Sequence, residues 1–370
     1  MNLPVRLDSA QRDRAAGTLV GLAAGDALGA GYEFGDPLPE AAPVGMIGGG
    51  PFGFAPAEWT DDTSMAVVVA RALLPASCSN PARPETEDDA GALLPDDARL
   101  SAMVDGWRDW AQDAKDVGAQ TRAVLGRAGR LVGTAGPSGE VTPAQAARTA
   151  AREHHEANGR SAGNGSLMRT APLAVAFLHD EAAAWDAAMH VSELTHFESD
   201  AGEACALWTV AIRHAVLTGE LDVRRGLPRL AKDRAALWAS RIDAAEQSAP
   251  RDFTNNGWVV EAFQGAWSAI ASITRGKADA NASPGVEPGI AATAPDTTSL
   301  RRGIEAAVRG GRDTDTVAAI AGSLLGAAHG HSAIPSGWLN DLHGWPGLKA
   351  NDLAELGLAL ATREGIKQES

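Results

Sequence analysis

Two short segments of the sequence, Trp59-Thr60-Asp61-Asp62-Thr63 and Gly311-Arg312-Asp313-Thr314-Asp315-Thr316, are alike although about 250 residues separate them. Each segment carries two carboxylates beside threonine hydroxyls. Each also runs directly into a stretch whose apolar residues recur at three- and four-residue steps, as they do on one face of a helix. The sequence therefore predicts two helices that both begin at a cluster of oxygen ligands.

Such a cluster has two interpretations. Asp and Thr are common helix caps, and acidic residues in the first turn complement the helix dipole. Hard oxygen ligands also suit Mg²⁺ or Mn²⁺, whereas Zn²⁺ prefers His and Cys. Capping and metal binding explain a single cluster equally well, but four carboxylates would roughly balance the charge of two divalent ions. The pair of clusters therefore favours a metal site.

The composition limits the class of protein. Hydrophobic residues make up 45% of the 370 residues, which is enough for a sizeable core, and the net charge is −15. This charge argues against a broad interface with a nucleic-acid backbone. Cys78 and Cys205 form no CxxC motif, residues 1–14 lack an apolar signal core, and no run of 18 apolar residues is present. We expect a cytoplasmic monomer without a membrane segment.

Helical periodicity dominates the rest of the chain, and few segments alternate with the period of a strand. Ser9 is positioned to cap a first helix with an apolar face, and Thr142-Pro143-Ala144-Gln145 has the pattern of a capping box. Gly219 is a typical helix stop. The sequence therefore predicts an all-α fold, with further helices from about Ser166 and over residues 200–218, 229–247, 257–273, 300–308 and 352–362.

Two stretches interrupt the helical pattern. Residues 75–97 hold four prolines and a run of acids, and residues 276–298 are rich in Ala, Pro, Gly and Asp. Both have the composition of surface insertions. The second has the composition of a domain linker too, but it lies between helices that the second acidic cluster requires. We therefore predict a single domain over residues 10–365, with loop insertions at about 75–98 and 276–298.

Three further segments have the character of a ligand site. After Gly25-Asp26-Ala27-Leu28-Gly29, Glu33 stands on a glycine-flanked loop and is a candidate general acid or base, whereas the glycines themselves are explained by tight helix packing. Gly163-Asn164-Gly165-Ser166 precedes a predicted helix, so its amides are candidates for binding a diphosphate, or it is an ordinary cap. In Thr195-His196, the histidine either orients a substrate group or ends a helix.

Taken together, these segments resemble the ADP-ribosylglycohydrolase family, which includes the bacterial dinitrogen-reductase-activating glycohydrolases. The resemblance follows the order of the family's motifs and extends from about residue 15 to residue 340. Arg312 departs from it, because the family often has glycine there. The two insertions are also longer than usual. The segments that carry the resemblance are residues 21–29, 48–52, 59–65, 163–169, 195–196 and 313–322.

The resemblance implies a compact, orthogonally packed, all-α domain with two Mg²⁺ or Mn²⁺ ions in a cleft. By the same resemblance, Glu33 closes over the site, His196 lies near the ribose, and the phosphates of ADP-ribose contact Asn164, Gly165 and Ser166. The implied metal ligands are Thr60, Asp61, Asp62, Asp313, Asp315 and Thr316, with Asp315 as the bridge.

The implied reaction is hydrolysis of the C1″ glycosidic bond that joins ADP-ribose to a protein side chain. Two metals can hold ribose hydroxyls and activate water, and the transition state then requires help from a carboxylate. Glu33 and Asp61 are both candidates to handle the proton. Pro51-Phe52 ahead of Trp59 favours ADP-ribosylarginine as the substrate. The alternatives are ADP-ribosylserine, a small ADP-ribose conjugate, or a non-catalytic protein that binds ADP-ribose.

Overall fold

The computed structural model describes residues 7–74, 94–136, 139–281 and 297–362, and their regular secondary structure is almost entirely helical. They form fourteen α-helices and two short antiparallel hairpins, Ala135–Gly136 with Gly139–Glu140 and His343–Gly344 with Leu348–Lys349. The all-α prediction is confirmed. In chain order the helices are α1 Ser9–Gly29, α2 Asp61–Leu73, α3 Asp97–Trp110, α4 Ala119–Leu131, α5 Pro143–Asn158, α6 Ala171–Ala176, α7 Glu181–Glu193, α8 Ser199–Thr218, α9 Lys232–Gln247, α10 Val259–Asn281, α11 Thr297–Val308, α12 Thr314–His329, α13 Ser336–Asp341 and α14 Ala350–Thr362.

Most predicted helix ends agree with the structure. The capping box of Thr142 and Gln145 opens α5, and Gly219 ends α8 in the left-handed conformation. At α1 the prediction is wrong by one residue. Asp8, not Ser9, is the cap, because its carboxylate accepts from the Gln11 amide at 2.8 Å while the Gln11 side chain returns to the Asp8 amide.

The helix predicted from Ser166 is also misplaced. Asn164–Ser166 forms a 3₁₀ turn, in which the Asn164 carbonyl accepts from the amides of both Leu167 and Met168. The α-helix, α6, begins only at Ala171, where Pro172 fits a first turn that needs no amide hydrogen. The Gly163–Ser166 segment is therefore a turn of its own rather than the start of a long helix.

The structure describes only the ends of the two predicted insertions. Helix α3 begins at Asp97, α10 continues to Asn281 and α11 begins at Thr297, so the margins of both predicted insertions are helical. Residues 75–93 and 282–296 lie outside the described part of the chain. Among the described helices, none combines the length and the apolarity that a bilayer span requires.

Helices α1 and α12 pack backbone against backbone. A Cβ atom added at Gly21 or Gly25 would lie less than 3.0 Å from the backbone of α12. The same holds for Gly322 of α12 against α1. Because only glycine permits this approach, the four-residue spacing of glycines along α1 sets how closely the two helices pack. The packing interpretation of these glycines agrees with this geometry.

The core is built outward from this helix pair. Every residue of α1 from Ala15 to Gly29 is buried, so the helix is enclosed on all sides rather than on one predicted face. Helix α8 contacts α12 through the Trp208 indole, whose Nε1 donates to the Ile320 carbonyl at 3.2 Å. Trp208 also packs edge-on against Phe263 of α10. The starts of α2 and α12 are thereby held inside the protein, next to the end of α1.

A pair of glycine substitutions tests the α1–α12 contact. We expect Gly25→Ala to lower the free energy of unfolding by about 1–3 kcal/mol, because its methyl group would overlap the Ala318 backbone. Gly126 lies exposed within α4, and a Cβ there meets nothing within 4 Å. Gly126→Ala should raise the free energy of unfolding by up to about 1 kcal/mol through helix propensity. Urea unfolding of both variants measures this; equal effects of the two substitutions would contradict the close packing.

Candidate active site

Asp26 connects the end of α1 to the first acidic cluster. Its carboxylate accepts from the Thr60 amide at 2.8 Å, the Thr63 amide at 2.9 Å and the Thr63 hydroxyl at 2.6 Å. Asp26 is fully buried, and burial raises its pKa to about 6 although these hydrogen bonds oppose the shift. Its local sequence, between Gly25 and Ala27, gives no signal of this contact. The structure shows that Asp26 fixes the beginning of α2.

The structure brings the two acidic clusters together. The carboxylates of Asp61, Asp62 and Asp315 present oxygens that lie within 4.8 Å of one another. The Thr60 hydroxyl lies 3.2 Å from Asp62 Oδ2 and 3.3 Å from Asp315 Oδ2. Thr316 Oγ1 lies 3.4 Å from the same oxygen of Asp62. Five of the six predicted metal ligands therefore share one site at the facing ends of α2 and α12.

Asp313, the sixth predicted ligand, lies at the edge of this group. Its Oδ2 accepts from the Asn164 side-chain amide at 2.7 Å. The Asn256 side chain holds the segment in place, because it donates to the Gly311 carbonyl and accepts from the Asp313 amide. Asn256 is buried and was not among the predicted site residues. Its only signal in the sequence is a polar turn just before α10.

The cluster is electrostatically unfavourable without cations. Burial, followed by the charges of neighbouring acids, raises the pKa of Asp61, Asp62 and Asp315 well above the usual range. Asp62 Oδ1 and Asp315 Oδ1 are buried and have no hydrogen-bond partner among the described residues. Unpaired buried carboxylate oxygens are costly, and divalent cations would satisfy them. A donor set of carboxylate and hydroxyl oxygens fits Mg²⁺ or Mn²⁺.

Glu33 lies beside the cluster but outside the three-acid group. It follows the 3₁₀ turn Ala30–Tyr32, and its Oε2 is buried without a partner in the described part of the chain. Burial and the charges of nearby carboxylates, Asp313 foremost, raise the pKa of Glu33 to about 8. A carboxyl group with such a pKa can exchange a proton near neutral pH.

The loop that carries Glu33 is tied to the second acidic cluster. The Phe34 amide donates to the Arg312 carbonyl at 2.6 Å, and the Arg312 amide donates to the Gly35 carbonyl at 2.7 Å. Both Phe34 and Arg312 have left-handed backbone conformations, with φ of 59° and 65°. Such conformations cost free energy in residues other than glycine. The paired backbones hold Glu33 next to Asp313.

Asp116 is a further acid of the site that the sequence analysis missed. It is buried in the connection between α3 and α4, and its carboxyl group interacts with that of Asp61. Burial raises the pKa of Asp116, and its charge contributes to the raised pKa values of Asp61 and Glu33. In the sequence it is one acid in a short interhelical loop, which gives no signal of function.

The predicted phosphate-binding turn differs in detail from the expectation. The Asn164 amide donates to the Gly257 carbonyl, so it is not available to a ligand, and the Ser166 hydroxyl points into the core toward Ser192 and Cys205. Gly165 is only half-buried, so the turn reaches the surface there. Any contact with a ligand at Ser166 is therefore left to its backbone.

His196 lies directly against this turn. A Cβ atom at Gly163 would lie 3.2 Å from its Nε2, and one at Gly165 would lie 3.2 Å from its Cε1. The two glycines thus make room for the imidazole ring. His196 is buried, and burial, with the charge of Arg169, holds its pKa well below the usual value. The ring is neutral at physiological pH.

The sequence matches the model of the ADP-ribosylglycohydrolase family over residues 7–368. The chain therefore belongs to the ADP-ribosylglycohydrolase family. A solved structure described as an ADP-ribosylglycohydrolase-related protein complex has the same fold, with a TM-score of 0.58 at 24% identity, and the match covers 96% of this chain and 99% of that one.

Curated relatives match along most of the chain. The ADP-ribosylarginine hydrolase Tri1 of Pseudomonas putida (strain GB-1) is 28% identical over 332 residues, which cover 88% of this chain and 73% of that protein. The protein of the same name from Serratia proteamaculans (strain 568) is 24% identical, with 90% and 76% covered. The ADP-ribosyl-dinitrogen reductase glycohydrolase of Rhodospirillum rubrum is 25% identical, with 89% and 90% covered.

Removal and return of divalent cations tests the metal site. We expect Mg²⁺ or Mn²⁺, added to EDTA-treated protein at about 100 times the Kd, to raise the free energy of unfolding by about 2.7 kcal/mol. Without cations, folded Glu33 holds its proton up to a pKa of about 8, against 4.5 when unfolded. The folded state therefore binds more protons between these values, and its stability should fall as pH rises from about 4.5 to 8.

Thermal melts at pH 5, 6.5 and 8, each with EDTA and with Mg²⁺, measure both effects. Glu33→Gln should flatten the pH dependence of the metal-free protein, because it removes one of the groups that titrate. A midpoint that cations leave unchanged at pH 8 would count against the site.

Arg312 allows a test of the strained backbone beside the cluster. We expect Arg312→Gly to be more stable than Arg312→Ala by about 1 kcal/mol, because glycine adopts the left-handed conformation without steric cost while both changes remove the same guanidinium group. Urea unfolding in Mg²⁺ compares the two variants. If Arg312→Ala were equally stable, the backbone at this position would not be strained in solution.

Proposed function

We propose that this protein is a metal-dependent ADP-ribosylarginine hydrolase, which cleaves the C1″ glycosidic bond between ADP-ribose and an arginine side chain of a target protein. Family membership supports an ADP-ribosyl hydrolase, and two relatives carry the name ADP-ribosylarginine hydrolase. The observation that carries the proposal is the group formed by half-buried Asp61 with buried Asp62 and Asp315, the last two of which have unpaired oxygens; the group adjoins Glu33.

Thr60, Asp61 and Asp62 from the start of α2, with Asp313, Asp315 and Thr316 from the start of α12, are the residues that would hold two Mg²⁺ or Mn²⁺ ions. When bound, such ions orient and polarise sugar hydroxyls and lower the pKa of water. Asp26 and Asn256 position the two ends of this ligand set through the hydrogen bonds described above. The Thr60 hydroxyl lies within hydrogen-bonding distance of both Asp62 and Asp315, so the ligands from the two helices adjoin one another.

Glu33 is the better candidate for the acid–base group. The oxygens of Asp61 belong to the three-acid cluster and would be committed to cations, whereas Glu33 stands outside it with an unpaired Oε2. Its raised pKa would place its titration near neutral pH, and cations in the cluster would lower that pKa again through their charge. As the C1″–N bond breaks through an oxocarbenium-like transition state, Glu33 takes the proton from the water that attacks C1″, and the departing guanidine takes up a proton in turn.

The remaining site residues orient the substrate. His196 and the Gly163–Ser166 turn adjoin Asn164, whose side chain contacts the Asp313 carboxylate. ADP-ribose extending from the cations would therefore pass over this turn. On the other side of Glu33, Phe34 and Phe52 are exposed and pack edge-on against each other, with ring centroids 6.4 Å apart. This apolar rim is available to the protein portion of the substrate.

Turnover of defined substrates tests this proposal. Matched peptides carrying ADP-ribosylarginine or ADP-ribosylserine are incubated with the protein in Mg²⁺, in Mn²⁺ and in EDTA. We expect release of ADP-ribose from the arginine peptide only, and only with a divalent cation. Release from serine alone would overturn the substrate assignment, and binding of ADP-ribose without any release would indicate a binding protein.

Glu33→Gln separates catalysis from binding. We expect this change to slow turnover by about 10² to 10⁴, because Gln keeps the shape of the side chain but cannot accept the proton. ADP-ribose should still bind with a similar Kd by calorimetry. Glu40→Gln, an equivalent change at an exposed position on the same loop, serves as the control. A loss of rate below about tenfold would exclude Glu33 as the acid–base group.

A further inference from the structure

Arg169 is a fully buried arginine whose presence the proposed metal site does not explain. Its guanidinium group lies over the Trp107 ring, 3.8 Å from the centroid. Within the described residues it forms no salt bridge with a carboxylate, and its Nε has no partner. Burial lowers the pKa of Arg169 to about 9, so the side chain stays protonated near neutral pH. A buried cation without a carboxylate partner is costly, which points to a role beyond packing.

A short hydrogen-bonded chain connects this cation to the predicted substrate-binding histidine. Arg169 Nη2 donates to Thr195 Oγ1 at 2.6 Å, and Thr195 Oγ1 lies 2.7 Å from His196 Nδ1. All three side chains are buried. This series of hydrogen bonds begins at the guanidinium group, which can only donate. It ends at a ring nitrogen, which can either donate or accept.

The order of donors determines the tautomer of the histidine. Because arginine has no acceptor, the Thr195 oxygen must accept from it, and the hydroxyl hydrogen remains to be donated. His196 Nδ1 is the acceptor that the described residues offer to this hydrogen. If Nδ1 instead carried the proton, the buried hydroxyl hydrogen would be left unpaired, which is costly. The proton of the neutral ring is therefore on Nε2.

The protonated nitrogen faces the turn that adjoins the cluster. Nε2 is the ring atom nearest to a Cβ built at Gly163, and it makes no hydrogen bond within the described part of the chain. A phosphate or ribose oxygen that lies over Gly163 and Gly165 would find an N–H donor there. The opposite tautomer would present a lone pair to the same oxygen and repel it.

We propose that Arg169 is a positioning residue that acts through Thr195 to hold His196 in the Nε2–H tautomer, so that the ring donates a hydrogen bond to the substrate at the Gly163–Gly165 turn. The role of that donor rests on the proposed function, whereas the tautomer does not. Arg169 itself does not touch the substrate.

A matched pair of variants tests the hydrogen bonds that connect Arg169, Thr195 and His196. Thr195→Val preserves the shape of the side chain and removes both hydrogen bonds, and Thr195→Ser keeps the hydroxyl. Proton–nitrogen NMR of the histidine rings in the Mg²⁺-treated protein reads the tautomer directly, and the spectrum of His196→Gln assigns the signal. We expect the Nε2–H form in the unmodified protein and in Thr195→Ser, and a mixture of tautomers in Thr195→Val.

Kinetics and the arginine variant complete the test. With the ADP-ribosylarginine peptide, Thr195→Val should raise KM by about tenfold, the effect of about one lost hydrogen bond, while kcat changes by less than about threefold. Thr195→Ser should restore KM. Arg169→Met should give the same tautomer mixture; if it does not fold, the Thr195 pair alone decides.

The outcomes separate the two proposals. An Nδ1–H tautomer in the unmodified protein, or an unchanged tautomer and KM in Thr195→Val, would overturn the role of Arg169. If no ADP-ribosylated substrate were turned over, the proposed function would fail. The NMR result and the Kd of ADP-ribose in Thr195→Val, Thr195→Ser and Arg169→Met would still report on the tautomer and on the hydrogen bond that His196 donates.

Discussion

The contact between the backbones of α1 and α12 is the constraint on which the site depends. Glycines at every fourth position of α1 let Gly322 and the Ala318 carbonyl approach so closely that no Cβ fits between the helices. The start of α12 therefore lies beside the end of α1, where the Thr314 hydroxyl donates to the Gly29 carbonyl. Asp315 is buried beside this end of α1, which also carries Asp26 and leads into the loop with Glu33.

This arrangement forces acids into a place where they repel one another. A soluble protein can expose such a cluster to water, but here the helix ends are buried and the carboxylates have raised pKa values because of it. The free energy for holding the cluster comes from the surrounding apolar core, in which α1 is enclosed on all sides. This repulsion supports the proposed metal site, since the charge of bound cations would relieve it.

Further buried residues hold the groups that we propose to face the substrate or the cations. Asn256 fixes the backbone before α12, Asp116 adds charge beside Asp61, and Arg169 is connected through Thr195 to His196. Each is buried, and each acts through another residue. Their distribution over four separate segments of the chain explains why one domain, rather than a local motif, is needed to build the site.

The all-α class, the family and the two acidic clusters at helix starts are recognisable from the amino-acid sequence, because helical periodicity and ligand-rich segments are local properties of the chain. The sequence also indicated that the α1 glycines serve packing. The folded structure was needed to show that Asp26 accepts from amides at the start of α2, that the Ser166 hydroxyl points into the core, and that Asp116 and Asn256 adjoin the acidic clusters. These depend on which segments meet in space, and a lone polar residue in a loop carries no local pattern that distinguishes a buried partner from a solvated one.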